Sequence, residues 1–306
     1  MLAISTLPTG WHAYSQVLLS YEPDFACKTP SDNFEFNSTF PEYHKLVVPV
    51  NDTEIIGDPQ CYTYDFGDTN YTTLENVMQF TNGMVGSRCE AQEWIFDDSD
   101  FKSTATTEWG NVCDRKQLNT FDTQSFMIGK LIGAFIFGAM SDALGRFKTY
   151  FIALVLQLIC GVIIAVAPNM IIYSLARLAI GATCSGVYLC AYVLALEFIG
   201  PQKRTTPGLV YHMFYAIGYS LLAPIGYFVK DFRTISWMLA IPSLLFMPYY
   251  FFMDESVQWL LGKKRVRYIK PNSLGHMSAK YFLILLNGVF FLYQKHYIYT
   301  ISKTPN

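Results

Sequence analysis

Charged residues are scarce in this sequence, and their scarcity excludes several classes of protein. Of the 306 residues only 15% are charged, whereas 52% are hydrophobic and 16% are aromatic. An ordinary soluble domain carries roughly 25% charged residues, so the composition indicates that lipid is part of the solvent. The formal net charge of -2 leaves no basic excess beyond short clusters, and the sequence therefore indicates no nucleic-acid partner.

Enzyme motifs are also lacking. The sequence contains no nucleophile elbow, no phosphate-binding loop and no metal-ligand spacing. Its histidines are scattered without evident partners, and they are His12, His44, His212, His276 and His296. We therefore predict that the protein is not an enzyme and that it has no catalytic residue, no bound metal and no cofactor.

Long apolar runs are the main feature that is present. A run of about 20 apolar residues suffices to cross the hydrocarbon of a bilayer as a helix. Residues 1–20 are apolar but contain Pro8 and Gly10, and we interpret them as a first membrane helix without its beginning. Complete runs follow within the region 121–253, at 121–140, 150–167, 170–196, 209–229 and 235–253. The sequence thus predicts an all-α, multi-span membrane protein in contact with the lipid bilayer.

The polar segment 21–120 lies between the first two spans and is too long for an ordinary connection. Four of the seven cysteines fall in it, and they are Cys27, Cys61, Cys89 and Cys113. An even number of cysteines in a polar segment predicts a disulfide-bonded domain in an oxidising compartment, with three pairings possible. Zinc binding is the alternative, but neither a Cys-x-x-Cys pair nor a histidine at ligand spacing supports it.

Two signals predict the side of the membrane on which the loops lie. Segment 21–120 holds the three Asn-x-Ser/Thr glycosylation acceptors, which are Asn37, Asn51 and Asn70, and this places the segment outside the cell. Basic residues follow the second, fourth and sixth spans, in the loops 141–149, 197–207 and 254–270. Because such residues accumulate on the cytoplasmic side, we predict a multi-pass plasma-membrane protein with these three loops in the cytosol.

The sharpest motif lies at the end of the second span and reads Gly138-Ala-Met-Ser-Asp142-Ala-Leu-Gly145-Arg146. We predict that Gly138 lets two helices approach closely and that Gly145 permits a tight turn. Asp142 and Arg146 are predicted to form a breakable ion pair, the alternative being a static loop with solvated charges. The motif resembles the signature loop of carriers of the major facilitator superfamily, which implies a gate at the cytoplasmic ends of the helices.

The resemblance assigns three further charged residues to the same gate. Arg177, with Gly181 four residues later, resembles the Arg-x-x-x-Gly motif of the superfamily, and Glu197 and Arg204 bracket the next cytoplasmic loop. The resemblance implies that all three join the ion pair of the signature loop in one charged cluster. For Arg177 the alternative is a guanidinium that extends to the membrane surface, because an unpaired charge in hydrocarbon is costly.

A narrower resemblance comes from the segment 93–114, which runs from Glu93-Trp94 to Cys113-Asp114, and from the segments 196–201 and 255–261. These segments are similar to those of organic cation and anion carriers. The resemblance covers roughly residues 5–265 and implies the N-terminal six-helix half of such a carrier, built from two inverted three-helix repeats.

The resemblance also implies a missing partner, the C-terminal six-helix half, because the substrate of such carriers lies between the two halves. The region 254–306 begins as a cytoplasmic segment, but the likeness stops after Arg265. We interpret the remaining tail as a gene model that ran past an exon. If the tail is real, its apolar stretch 281–300 predicts an extra span.

Tyrosines in the fourth and fifth spans are the candidate substrate-binding residues. Tyr188 and Tyr192 lie one helical turn apart, and Tyr211 and Tyr215 follow in the fifth span. Ring faces attract a quaternary or protonated amine by about 0.5–2 kcal/mol per ring, and the resemblance to cation carriers places aromatic residues at this level of the fourth span. The alternative is a packed tyrosine stripe with no ligand.

Lys130 stands in the interior of the second span, where an apolar residue is expected. A cation in this place is costly unless it faces a cavity or a partner. It could pair with the carboxylate of a substrate, but it would repel a simple cation. Lys130 therefore shifts the predicted substrate toward zwitterions or anions, unless a bound water satisfies it.

These features together predict the transport of a small organic ion, a cation or a carnitine-like zwitterion, by alternating access, with this chain as an incomplete half-carrier. An organic anion transporter of the same family is one alternative. The other is a membrane-anchored binding or receptor module that acts through segment 21–120, although an anchor needs no gate.

Overall fold

The structure, a computed structural model, describes residues 3–28, 48, 58–63, 87–89, 94–198, 205–253 and 255–263. Within this part of the chain four helices are long and apolar enough to cross a membrane, and they span Cys113–Leu144, Arg146–Val166, Met170–Glu197 and Thr205–Phe228. They correspond to the second to fifth predicted spans. The predicted all-α membrane region is therefore confirmed.

Shorter helices accompany the four long ones. The described helices in chain order are α1 (Leu7–Tyr14), α2 (Gln16–Leu19), α3 (Ala105–Trp109), α4 (Lys116–Leu144), α5 (Arg146–Val166), α6 (Met170–Glu197), α7 (Thr205–Ser220), α8 (Leu222–Phe228), α9 (Phe232–Ala240), α10 (Tyr249–Phe252) and α11 (Val257–Gly262). Four 3-10 turns lie at Ile4–Thr6, Pro59–Cys61, Cys113–Arg115 and Ile241–Phe246.

Prolines interrupt the last two predicted spans. A proline lacks the N–H of an ordinary residue, and its ring crowds the carbonyl four residues earlier. Pro224 accordingly lies four residues after Ser220, at which α7 ends before α8 begins. The span predicted at 235–253 is not continuous, because Pro242 is the second residue of a 3-10 turn and Pro248 precedes α10. The described apolar helix there is the shorter stretch Phe232–Phe246.

A small disulfide-bonded unit precedes the long helices. Strand β1 (Phe25–Cys27) pairs antiparallel with β4 (Trp94–Phe96), with Phe25 opposite Phe96, and β2 (Tyr62–Thr63) pairs antiparallel with β3 (Ser87–Arg88). Disulfides join Cys27 to Cys89 and Cys61 to Cys113. Of the three pairings that the sequence left open, this is the one found.

We call the described residues between 21 and 115 the disulfide lobe. The end of the helix bundle next to this lobe is called the lobe end, and the opposite end is called the Arg146 end. The predicted disulfide-bonded domain is confirmed in this lobe, although its four short strands were not predicted. The predicted glycosylation acceptors Asn37, Asn51 and Asn70 lie outside the described residues.

The disulfide lobe is fastened to the helices through Arg233 of α9. Its Nε donates to the Glu108 carboxylate on α3 at 3.1 Å, and its terminal nitrogens donate to the carbonyl oxygens of Ala165 and Ala167, both at 2.9 Å. Beside this contact the Trp109 ring packs against aromatic rings of α6 and α9, with centroids 5.2 and 5.6 Å apart. The end of α5, the start of α9 and helix α3 are thereby joined.

Helices α4 and α6 pack through glycines. A Cβ atom at Gly129 would overlap the carbonyl oxygen of Leu178, and one at Gly133 would overlap that of Ala182. Close approaches are therefore found about one and a half and two and a half turns before Gly138 along α4. At Gly138 itself the described residues leave open space within 4 Å of an added Cβ, so among them no helix makes the predicted close approach there.

Candidate functional site

Arg146 lies at the start of α5 and links two carboxylates at its end of the bundle. Gly145 between α4 and α5 has φ of +120°, a backbone conformation that residues with a side chain rarely adopt. This agrees with the tight turn predicted there. Arg146 Nε lies 3.3 Å from Glu197 Oε1, and its Nη1 pairs with the Asp142 carboxylate. The Arg146 and Glu197 side chains are only 18% and 15% exposed, whereas Asp142 is 75% exposed. The link to Glu197 is thus the better shielded of the two.

Glu255 is a further member of this cluster. Its Oε1 accepts a hydrogen bond from the backbone N–H of Phe147 at 2.8 Å, and its Oε2 accepts from that of Lys148 at 3.4 Å. The first N–H groups of a helix have no partner within the helix, and a carboxylate there also suits the helix dipole. The same carboxylate fills the space beside Gly145. Glu255 therefore caps α5.

Helix α11 holds Glu255 in place. Ser256 caps α11 by accepting a hydrogen bond from the Trp259 N–H at 3.3 Å. The indole of Trp259 donates to the Asp142 carbonyl at 3.0 Å, and the Gln258 side chain donates to the Glu197 carbonyl at 3.1 Å. The segment after the sixth span thus connects the ends of α4, α5 and α6. We call Asp142, Arg146, Glu197, Glu255 and Trp259 the Arg146 cluster.

Arg177 does not belong to the Arg146 cluster, contrary to the prediction. Glu197 lies 20 residues further along the same helix, which corresponds to about 30 Å at the rise of an α-helix. The Arg-x-x-x-Gly motif lies near the start of α6, and this helix begins at the lobe end. Glu197 is the last residue of α6 and lies at the Arg146 end. Arg204, also predicted at the gate, lies outside the described residues.

The buried network around Arg177 joins three helical segments. The Arg177 guanidinium and the Asp122 carboxylate of α4 are both 0% exposed, and Arg177 Nε lies 3.8 Å from Asp122 Oδ1. Arg177 also donates to the Ser15 hydroxyl at 2.9 Å and to the Gln16 side chain, which itself donates to Asp122. The Arg177 Cζ atom lies over the Phe126 ring, 5.0 Å from the ring centroid. Arg177 is thus paired within the protein and does not extend to the membrane surface.

Tyr188 and Tyr192 of α6 form a stacked pair. Their rings are parallel to within 3°, with centroids 6.3 Å apart, and both side chains are half-buried. Tyr211 of α7 is fully buried behind them, with edge-on contacts at 5.2 and 5.3 Å, and its hydroxyl donates to the Tyr188 carbonyl at 2.8 Å. Tyr215 meets Tyr188 edge-on at 5.6 Å. The structure brings all four predicted tyrosines together, with Tyr211 as a support.

His212 is an additional member of the group. Its ring centroid lies 6.1 Å from that of Tyr188 and 5.9 Å from that of Tyr192, and its Nδ1 is 2.9 Å from the Tyr188 hydroxyl. The imidazole is exposed. We call Tyr188, Tyr192, Tyr211, Tyr215 and His212 the tyrosine cluster. Accessible ring faces with one exposed polar ring nitrogen suit an ammonium group with a polar substituent.

Lys130 lies apart from the tyrosine cluster in the described contacts. Its Nζ is 5.7 Å from the centroid of the Phe126 ring, and its carbonyl accepts a hydrogen bond from the Ser185 hydroxyl at 2.8 Å. Among the ion pairs of the described residues none involves Lys130. The predicted role in substrate binding therefore stays a prediction.

Several of these residues were missed from the sequence, for identifiable reasons. Glu255 was noted only as part of a family segment, although an acid before a helix is a familiar capping signal. His212 was set aside for want of a partner, yet it follows Tyr211 directly and lies one helical turn from Tyr215. Within the described ranges no three His, Cys, Asp or Glu side chains come close enough to hold a metal ion.

Known relatives match this chain over most of its length. A family model described as sugar (and other) transporter matches residues 54–270. The organic cation transporter protein of Drosophila melanogaster is 37% identical over 269 residues, which cover 87% of this chain and 46% of that protein. The beta-alanine transporter of the same organism is 28% identical over 288 residues, with 87% and 46% covered.

A solved structure shares the fold. The proton:xylose symporter XylE of the major facilitator superfamily, bound to 6-bromo-6-deoxy-D-glucose, superposes with a TM-score of 0.50 at 19% identity, covering 56% of this chain and 44% of that chain. The chain spans about half the length of the curated relatives it matches. The family model covers more than half of the chain and the relatives agree with it, so the protein belongs to the sugar (and other) transporter family.

Proposed function

We propose that this chain forms the N-terminal six-helix half of a carrier that moves a small organic cation or zwitterion across the plasma membrane by alternating access. The observation that carries the proposal is the stacked pair of Tyr188 and Tyr192, whose rings are half-buried and lie beside an exposed imidazole. Such ring faces hold an ammonium group without an acidic partner.

The printed names of the relatives support this substrate class. Two Drosophila melanogaster proteins, 37% and 35% identical to this chain, are named organic cation transporter and organic cation transporter-like. A third relative is named beta-alanine transporter, and beta-alanine carries an ammonium and a carboxylate at neutral pH. An ammonium group is common to both kinds of substrate, and it is the group that the tyrosine cluster suits.

The Arg146 cluster is the proposed cytoplasmic gate. Its contacts connect the ends of α4, α5 and α6, and the exposed Asp142 carboxylate can separate from Arg146 and pair with it again at low cost. A second half would have to rock against this one for transport. In this arrangement the disulfide lobe lies outside the cell, with glycans at Asn37, Asn51 and Asn70.

An organic anion carrier is the second candidate, and Lys130 is the observation that favours it. No described acidic side chain pairs with this lysine in the interior of α4. A carboxylate substrate would satisfy its charge.

Uptake in cells that express the transcript containing this sequence tests the proposal. Labelled tetraethylammonium, a carnitine-type zwitterion and an aromatic carboxylate are compared, with surface expression measured by biotinylation. We expect uptake of the cation or the zwitterion above that of untransfected cells. Uptake of the carboxylate alone would favour the anion carrier, and uptake of none of the three by protein at the cell surface would contradict transport of organic ions.

A further inference from the structure

His212 offers a hydrogen-bond donor beside the stacked tyrosines. Its Nδ1 lies 2.9 Å from the Tyr188 hydroxyl. A phenol is a stronger acid than a neutral imidazole N–H, so the best hydrogen bond has the hydroxyl donating to Nδ1. The proton of a neutral imidazole then resides on Nε2. In an imidazolium both nitrogens carry protons, so Nε2 is a donor in either charge state.

This donor is left for a ligand. The His212 side chain is exposed, and none of the hydrogen bonds between described residues uses its Nε2. The described rings in contact with it belong to Tyr188, Tyr192 and Tyr211, none of which has a carboxylate. Tyr211 already donates its hydroxyl to a backbone carbonyl. An acceptor for the Nε2 proton therefore has to come from water, from a part of the protein outside the described residues, or from the substrate.

We propose that His212 is a specificity-determining residue that binds the carboxylate of a zwitterionic substrate. The inference rests on the proposed function and sharpens its substrate class. The ring faces of Tyr188 and Tyr192 hold the ammonium group, while the Nε2–H of His212 donates to the carboxylate of the same molecule. A simple cation satisfies only the rings and leaves the donor without a partner, so the zwitterion is preferred.

The geometry also limits the length of the substrate. The His212 ring lies 6.1 and 5.9 Å from the two tyrosine rings, and a hydrogen bond to the carboxylate adds about 2.8 Å. A zwitterion with a few carbon atoms between its ammonium and carboxylate groups fits these distances. Betaines and short amino acids meet this condition.

Two probes that differ by one carboxylate test the inference. Labelled glycine betaine and labelled tetramethylammonium are supplied to cells that express the transcript containing this sequence, and the ratio of their uptake rates at low concentration is measured. For His212→Phe, which keeps a ring but removes the donor, we expect this ratio to fall by roughly tenfold, the value of one charge-assisted hydrogen bond. His212→Gln, which restores an N–H donor, is expected to recover part of the ratio.

Two control variants separate this role from others. Tyr219→Phe removes an exposed hydroxyl from the same helix, away from His212, and should leave the ratio unchanged. Lys130→Met removes a cation of α4 that could bind the carboxylate in place of His212. An unchanged ratio in His212→Phe, or a fall in Lys130→Met alone, would overturn the inference while transport itself stands. If the wild-type protein at the surface takes up labelled tetraethylammonium but neither of these two probes, the inference fails while the proposed function stands.

Discussion

The Arg177–Asp122 pair places two opposite charges in the interior of the protein. Both side chains are completely buried, and Arg177 Nε lies 3.8 Å from Asp122 Oδ1. Removing two charges from water costs several kcal/mol per ion, which the mutual attraction and added hydrogen bonds only offset. The Gln16 and Ser15 side chains provide such bonds. Removing one partner would therefore leave the other charge buried and uncompensated.

We expect Asp122→Asn to destabilise the protein by about 3–5 kcal/mol, because the Arg177 charge remains buried without its counter-charge. The double variant Asp122→Asn with Arg177→Gln removes both charges and should recover most of the loss. Thermal unfolding in detergent, monitored by a thiol-reactive dye or by scattering, provides the comparison. A double variant less stable than either single variant would contradict this account of the pair.

The proposed binding of an ammonium group by the Tyr192 ring can be tested at the scale of one residue. Tyr192→Phe keeps the aromatic face, so we expect the KM for an ammonium substrate to stay near its wild-type value. Tyr192→Ala removes the face, at a cost of about 0.5–2 kcal/mol or roughly 2- to 30-fold in KM. Uptake kinetics of a labelled quaternary ammonium measure both values. Equal effects of the two variants would show that the hydroxyl, not the ring, matters.

At the level of whole elements, the start of α5 depends on a residue from another part of the chain. Glu255 accepts hydrogen bonds from the backbone N–H groups of Phe147 and Lys148, so α5 and α11 stabilise each other. Within the Arg146 cluster this is the contact that ties the segment after the sixth span to the first turn of a membrane helix. We therefore expect loss of the cap to destabilise the first turn of α5 more than the rest of the helix.

We expect Glu255→Ala to lower the stability of that turn by about 1 kcal/mol, the usual value of a lost cap, and to speed amide exchange there roughly fivefold. Hydrogen exchange of the peptide that includes Phe147 and Lys148 measures this directly. Glu255→Gln keeps an acceptor oxygen and should have a smaller effect. Unchanged exchange in Glu255→Ala would contradict the capping role.

The contact between α4 and α6 provides a second test at this scale. A methyl group at Gly129 would overlap the Leu178 carbonyl, so we expect Gly129→Ala to cost about 1–3 kcal/mol through overpacking. Gly138 is the matched control, because an added Cβ meets no described atom within 4 Å. Gly138→Ala should leave thermal stability unchanged or raise it by about 0.5–1 kcal/mol. Equal losses in both variants would contradict the packing described here.

For the whole molecule, the disulfide pairing is open to direct measurement. Peptide mapping of the unreduced protein should recover the pairs Cys27–Cys89 and Cys61–Cys113, because these thiols are joined in the structure. Reduction before digestion serves as the control and should release all four peptides. Loss of one disulfide typically costs about 2–5 kcal/mol in a small extracellular unit, so serine at either pair should reduce surface expression. Peptides joining Cys27 to Cys61 would contradict the fold of the lobe.

Much of this architecture could be predicted from the sequence, because crossing a bilayer requires long apolar helices and these are visible as runs. The signature loop likewise predicted the turn at Gly145 and the ion pair of Arg146. Pairing of the four cysteines could not be predicted, since any of three pairings satisfies the count. The breaks at Pro242 and Pro248 were visible in the sequence but were not weighed against the hydropathy of the run.

The errors at the candidate site have a common origin. Arg177 and Gly138 were placed by their motifs, whereas their contacts depend on position along a helix and on which face meets a neighbour. The distance of 20 residues from Arg177 to Glu197 on one helix would have separated them. For Gly138 no such signal existed, because the sequence does not say which glycine of α4 meets α6. Glu255 and His212 act through partners on other helices, which only the fold brings together.

The fastening of the disulfide lobe has a practical consequence. Arg233 ties helix α3 to the end of α5 and the start of α9, and the backbone N–H of Lys102 donates to the Lys230 carbonyl at 2.9 Å. Because these contacts fasten the lobe to the helices, we expect the two to tilt as one body during any rotation of the helices. A small rotation of the membrane helices would then displace the lobe by a larger distance in water. A spin label or a conformation-sensitive antibody on the lobe would measure this displacement without any change to the helices themselves.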